Sequence, residues 1–307
     1  MINKNNHKNT DGRRILLFSI LCLFGFCLVA QVQPQRNVGQ PVKSKVYLLH
    51  SDVLKKSKDN PDPNAQILVG DVVFRHDSIY MYCDSACFYE KTNSLEAFNN
   101  VRMVQGDTLS LYGDYLFYDG NTQLAQVRNN VRMENRTTTL TTDSLNYDRI
   151  ANLGYFFDGG TLSDEENVLT SDWGEYSPAT KMSVFNYEVQ LVNPQFTLTS
   201  DTLRYNTATK IASIVGPSDI HSDENHIYSE LGFYNTTLGQ AELLNRSVLS
   251  NNGKKLTGDS LYYDRNQGYG EAFMMWCLWI PSTRICLRAI IVITTSLQVM
   301  PLLLTKP

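Results

Sequence analysis

Leu-Thr-Gly-Asp-Ser-Leu-Tyr-Tyr-Asp, at Leu256–Asp264, decides the fold because the chain repeats it. The phrase returns as Leu-Tyr-Gly-Asp-Tyr-Leu-Phe-Tyr-Asp at Leu111–Asp119 and as Leu-Thr-Thr-Asp-Ser-Leu-Asn-Tyr-Asp at Leu140–Asp148. The tyrosine at its next-to-last position belongs to a series of seven, Tyr89, Tyr118, Tyr147, Tyr176, Tyr205, Tyr234 and Tyr263, spaced every 29 residues. A fixed period of this length marks a repeat architecture, in which each unit buries its apolar face against the next.

Within one repeat the pattern is β throughout. Thr, Val, Tyr, Phe and Leu alternate with polar residues, and no stretch sustains a 3.6-residue apolar period. Seven places before each tyrosine stand Tyr82, Leu111, Leu140, Leu169, Leu198, Ile227 and Leu256; two places before stand Cys87, Leu116, Leu145, Gly174, Leu203, Gly232 and Leu261. Those two positions have opposite parity on a strand, so both face one core only if the strand bends between them. The bend has a marker. Five places before the tyrosine is a small residue (Gly113, Thr142, Ser171, Ser200, Ser229, Gly258), followed by an acid (Asp114, Asp143, Asp172, Asp201, Glu230, Asp259). Such a pair suits a corner or bulge. Turn residues follow the tyrosine, and a second strand carries a small residue seven places on, at Ala125, Gly154, Ser183, Ala212, Ala241 and Gly270.

Two folds accommodate this unit. In a β-solenoid the acids would stack about 4.8 Å apart and repel. In an antiparallel meander equivalent positions lie two strands apart, roughly 9.6 Å, and short turns join neighbours. The expected fold is therefore all-β, a folded antiparallel meander of two-strand repeats, with the β-solenoid as the alternative.

The ends differ from the middle. Lys4, Lys8, Arg13 and Arg14 precede the apolar run Ile15–Ala30, the layout of a secretory signal peptide over residues 1–30. A polar linker with Pro34 and Pro41 is expected over 31–45, the β-repeat domain over 46–273, and an aberrant tail over 274–307. In the tail acidic residues vanish and Val292 stands where the next tyrosine belongs, so it reads as a frameshift product. The whole chain carries −4, and with both basic ends set aside residues 31–273 carry −10. A nucleic-acid partner needs a basic face, so none is expected. Cys83 and Cys87 are too far apart along one strand for a disulfide and are expected to be buried.

The segments Gly70-Asp71-Val72-Val73-Phe74 and Cys83-Asp84-Ser85-Ala86, together with the recurring Gly/Ser-Asp-x-Leu-x-Tyr-Asp phrase, resemble the OstA/LptA-like family of periplasmic lipopolysaccharide-transport proteins over about 46–272. The resemblance implies a bent β-jellyroll in the periplasm, an apolar groove for lipid A acyl chains, and head-to-tail stacking into a bridge between membranes. Lipopolysaccharide or lipid A, together with transport components of the inner and outer membranes, would be the partners. The groove candidates are Leu111, Leu116, Tyr118, Leu140, Leu145, Tyr147, Leu169, Tyr176, Leu198, Leu203, Tyr205, Ile227 and Leu256; a plain β-sandwich core is the competing reading.

Catalytic chemistry is not expected, nor a cofactor. The repeated acids are dispersed rather than paired, and no phosphate loop or nucleophile elbow occurs. Arg102 and Arg132, with Arg128 and Arg136, are candidates to meet lipid phosphates at a groove rim, against a solvated strand face. His221-Ser222-Asp223-Glu224-Asn225-His226 reads as a solvated turn rather than a metal site. The function expected is a non-enzymatic periplasmic lipid binder; the alternative is a surface or adhesin-like scaffold.

Overall fold

The structure is a computed structural model that describes residues 44–55, 63–222, 225–251, 254–280 and 283–294, with the backbone alone for 254 and 274–294. The expected signal segment and the end of the expected tail lie outside the described residues.

The chain forms one antiparallel sheet of 20 strands. In order they are β1 (Tyr47–His50), β2 (Val53–Lys55), β3 (Gln66–His76), β4 (Ile79–Tyr89), β5 (Ser94–Gln105), β6 (Leu109–Asp119), β7 (Leu124–Asn135), β8 (Thr138–Asp148), β9 (Leu153–Phe156) and β10 (Gly160–Ser163). They continue as β11 (Val168–Ser171), β12 (Trp173–Tyr176), β13 (Met182–Asn193), β14 (Phe196–Asn206), β15 (Ile211–Ser222), β16 (Asn225–Asn235), β17 (Gln240–Asn251), β18 (Lys254–Asp264), β19 (Tyr269–Ile280) and β20 (Thr283–Thr294). Nearly every strand pairs with its sequence neighbours, which makes a meander and excludes the solenoid. Three long strands are each broken in two at the corner: β1/β2, β9/β10 and β11/β12.

The corner is built from both strands of each hairpin. On one strand, two successive residues adopt left-handed backbone: Asn99 and Asn100 (φ 59 and 49°), Asn129 and Asn130 (61 and 52°), Tyr187 and Glu188 (65 and 51°), Asn245 and Arg246 (64 and 61°). Asparagine tolerates this region better than most residues. Opposite them the recurring acid points outward, and the register skips there, as between Arg128 and Val131. Asn100 Nδ2 donates to Asp84 (2.8 Å), Asn130 to Asp114 (2.6 Å) and Asn245 to Glu230 (3.1 Å). The small residue before the acid spans the corner. Ser171, Ser200 and Ser229 each donate to the carbonyl two residues on, at 2.8, 2.9 and 3.0 Å. The extra residue of the bulge thus sits on the strand facing the Ser-Asp pair, and the apolar parity is restored on both sides.

Each long strand up to β18, counting the three broken pairs as one strand apiece, therefore has two halves. In one half the tyrosines alternate with small residues across neighbouring strands: Tyr118 faces Ala125, Ala125 faces Tyr147, Tyr147 faces Gly154, and so on to Tyr263 and Gly270. A phenol ring fills the room above its small neighbours, so the alternation follows from volume. Tyr118 and Tyr147 are two strands apart, as a meander requires. The turn after each tyrosine is capped by the next residue: Asp148 Oδ1 accepts from Ile150 and Ala151 N (2.8 and 2.9 Å), and Asn206 Oδ1 from Ala208 and Thr209 N (both 2.9 Å).

The first repeat departs from the expected register. Leu95, which faces Tyr118, also faces Phe88; Met103, which faces Leu111, also faces Met81. Phe88 and Met81 are thus the ladder members of β4, while Tyr89 is half-buried and Tyr82 exposed. The cause is the β5–β6 turn. It has three residues, Gly106-Asp107-Thr108, where the β3–β4 and β7–β8 turns have two, so the series slips by one. At the other end β18 pairs with β19 only as far as Phe273, and β19–β20 continue as a straight hairpin with no corner.

Candidate functional site

The two halves of the sheet fold face to face about the corner, and the ladder residues fill the space between. All thirteen groove candidates point inward and are 0–3% exposed. In the leucine half, Leu140 lies between Met133 and Leu162, and Leu198 between Leu191 and Ile220. In the tyrosine half, Gly174 stands where other repeats have leucine because Phe156 and Phe185 flank it. A Cβ there would lie 2.6 Å from the Phe156 ring.

The mouth opposite the corner is closed by the tyrosine hydroxyls, which reach polar residues at the hairpin turns of the leucine half. Tyr118 Oη lies 2.6 Å from His76 Nδ1 and accepts from Arg149 (2.9 Å). Tyr147 donates to Asn152 (3.1 Å), which is linked to Gln105 (3.4 Å). Tyr176 accepts from Asn135 (3.0 Å), which also donates to the Pro178 carbonyl (3.1 Å). Tyr205 donates to Asp164 (2.6 Å) and accepts from Asn167 (2.9 Å). Tyr234 accepts from Arg265 (3.1 Å), which also contacts Gln195, and its ring rests on Phe196 at 4.6 Å. Among the described residues, every hydrogen bond across this seam uses at least one side chain. Each tyrosine meets a turn about three strands earlier, because twisted sheets cross rather than align when they face each other.

Burial sets the seam's protonation. It pushes the Tyr118, Tyr147 and Tyr234 phenols up to about 12 and raises Tyr205 further, so all stay neutral. Asp164 is fully buried, and desolvation opposes its charge. Hydrogen bonds from Tyr205, Lys210 and the Asn167 and Glu166 amides outweigh that and hold its carboxyl below the ordinary value. Lys210 Nζ sits 3.0 Å away. His76 is fully buried, and desolvation lowers its pKa against the attraction of Asp77, with Arg149 adding to the lowering.

The arginines expected at a rim lie elsewhere. Arg102 and Arg132 project from the outer face of the leucine half, interleaved with Tyr82 and Tyr112. Their guanidinium carbons lie 5.8 and 5.9 Å from the Tyr82 and Tyr112 rings for Arg102, and 4.3 Å from Tyr112 for Arg132. They face outward because they alternate with inward Val101, Met103, Val131 and Met133. Cys83 is buried, as expected; Cys87 is half-buried, because the slip in the first repeat turns it outward. The seam partners were not among the expected site residues, although His76, Gln105 and Asn135 end alternate strands at nearly the repeat period.

A single antiparallel sheet folded lengthwise about an apolar interior defines an all-β repeat protein. A family model described as OstA-like protein matches residues 43–201, more than half the chain, and the chain belongs to that family. Among solved structures it is similar to LptH, described as the LptA homologous periplasmic component of the conserved lipopolysaccharide transport device from Pseudomonas aeruginosa. The two are 17% identical, the alignment covers 32% of this chain and 75% of that one, and the TM-score is 0.30. No curated protein was found to match the chain.

Proposed function

We propose that this chain is a non-enzymatic periplasmic protein of lipopolysaccharide transport and outer-membrane assembly, exported by its N-terminal segment, which holds acyl chains between the two halves of its sheet. Membership of the OstA-like family supports the general reading. One observation carries the groove: the apolar ladder runs through successive repeats, and among the described residues every hydrogen bond across its mouth uses at least one side chain. The mouth can open about the corner without breaking a backbone ladder. The partners are lipopolysaccharide or lipid A, membrane transport components at either end, and further copies added head to tail. Among the described residues β1 and β2 pair with β3 alone, and with Tyr47, Leu49, Val53 and Leu54 all exposed this edge suits such strand addition.

The near-complete burial of the ladder favours a second reading, a scaffold whose interior is only a core. Extraction of lipid from the purified, tag-free chain separates the two. A lipid carrier releases acyl lipid on organic extraction and captures lipid A from micelles. A chain that is free of lipid and captures none is a scaffold.

A further inference from the structure

We propose that Asp219, His221 and His226 form a binding site for a zinc-class divalent cation on the outer face of the leucine half, separate from the lipid interior. His221 on β15 and His226 on β16 are directly opposed across the antiparallel pair. Asp219 lies two residues before His221 on the same strand, so all three side chains leave the same face of the sheet. The imidazole rings stack at 4.4 Å with 11° between their planes. His226 Nε2 is 2.6 Å from Asp219 Oδ1. One ligand atom from each of the three residues lies within 4.8 Å of the others, and among the described residues no other three such side chains converge in this way.

The donor set selects the ion. Two imidazole nitrogens and one carboxylate oxygen suit Zn²⁺, Ni²⁺ and Cu²⁺, whereas Ca²⁺ and Mg²⁺ require shells made mostly of oxygen. Bonds of about 2.0–2.2 Å place tetrahedral ligand atoms roughly 3.3 Å apart. Closing from 4.8 Å needs only side-chain rotation, which is free here because the Asp219 and His226 side chains are each 42% exposed. The Asp219–His226 hydrogen bond opens slightly as the ion replaces its proton. The fourth position faces solvent and takes water. A simple Asp–His hydrogen bond accounts for two of the residues and leaves His221 without a role. The in-plane lone pairs of stacked rings run parallel, so both imidazoles rotate out of the 11° stack for their nitrogens to converge on one ion. The recurring acids at the corners are no rival, because Asp84, Asp114 and Glu230 are each held by an asparagine.

The test is zinc chloride titrated calorimetrically into the tag-free full chain, with calcium chloride as the control ion. The expected result is one zinc per chain, no calcium heat, and at least about tenfold weaker zinc binding in His226→Ala and in Asp219→Asn, the range that loss of even an outer partner produces. His50→Ala should bind like wild type, since among the described residues His50 is paired with Asp52 alone, at 3.5 Å. Circular dichroism in EDTA checks that the variants fold. The imidazole resonances of wild type give a measurement independent of any variant: those of His221 and His226 should move together and saturate at one equivalent. Unchanged affinity in a His221→Ala/His226→Ala double variant, no zinc heat, or resonance shifts confined to other histidines overturns the site.

Discussion

Replacing Tyr205 with phenylalanine removes one oxygen from the most polar part of the seam. That hydroxyl donates to Asp164 at 2.6 Å and accepts from Asn167 at 2.9 Å. Asp164 keeps Lys210 at 3.0 Å and the amides of Glu166 and Asn167, but its fully buried carboxylate loses one of its charge-assisted donors. A hydrogen bond to a charged group contributes about 1.5–3 kcal/mol. The Asn167 amide retains Thr236 as an acceptor at 3.2 Å, so little is added on that side. The expected loss is about 2–3 kcal/mol. Tyr176→Phe is the control, because Tyr176 accepts one neutral bond from Asn135, which keeps the Pro178 carbonyl; about 1 kcal/mol is expected there. Urea unfolding followed by circular dichroism measures both. If the seam is also the lipid gate, a loss of about 2 kcal/mol raises the open fraction by roughly thirtyfold. Uptake of a fluorescent lipid A analogue should then accelerate in Tyr205→Phe more than in Tyr176→Phe. Equal stability losses in the two variants would refute the ranking, and unchanged uptake in both would refute the gate.

Further outcomes follow from the same geometry. Leu198→Asp or Leu140→Asp should abolish lipid capture, because a carboxylate is not tolerated against acyl chains; a variant that is folded by circular dichroism and still binds lipid normally sinks the groove. His76 has a lowered pKa, so below its ordinary 6.5 the unfolded chain binds more protons than the folded one and stability falls with pH until the lowered value is passed; His76→Asn, which copies Asn135 of a later repeat, should flatten that slope in urea titrations. Asp164, held below 3.8, stabilises the chain above that value and stops doing so as pH falls through the depressed one, so Asp164→Asn should remove an acid transition in that lower range. Gly174→Ala should cost about 1–3 kcal/mol through overpacking against Phe156, and Phe156→Leu should relieve it in the double variant. Leu49→Lys with Leu54→Lys should suppress concentration-dependent self-association in sedimentation, since charge on an edge strand opposes strand addition.

The meander, the bends and the inward ladder were legible because each is local. The alternation of Tyr118, Ala125, Tyr147 and Gly154 follows from volumes at fixed spacing, and the Ser-Asp phrase marks a corner wherever it occurs. What escaped depends on longer range. The slip from Phe88 to Tyr89 is set by one additional residue in the Gly106–Thr108 turn, too small a change to disturb the apparent period. The seam pairs residues such as Asn135 and Tyr176, whose separation is fixed by sheet twist and not by the repeat. The outward direction of Arg102 and Arg132 was readable from their inward neighbours, but the groove expectation drew them to the rim. The Asp219–His221–His226 group is spread over two strands, and only the register reveals that His221 and His226 are opposed.

On the proposed function, the architecture would link stability to cargo. Backbone ladders run between neighbouring strands within each half, so they survive a change in the angle between halves. The corner residues with left-handed backbone recur on successive hairpins, and on the proposed function they would supply the pivot. Opening costs the seam's side-chain bonds and exposes ladder surface at about 25 cal/mol per Å² of apolar area. If the interior carries lipid, as proposed, an empty chain would stay shut. Acyl chains entering between the halves would cover the same surface, remove the larger part of that cost and leave mainly the seam to be broken. Lipid and the open state would then stabilise each other, and the two polar repeats of the seam, at Asp164–Tyr205 and His76–Tyr118, would tune how readily the halves part. Lipid uptake should therefore respond more strongly to changes in these two pairs than to equal losses of stability introduced on the outer face, and matched variants of the two kinds decide whether the seam is a gate or only a part of the fold.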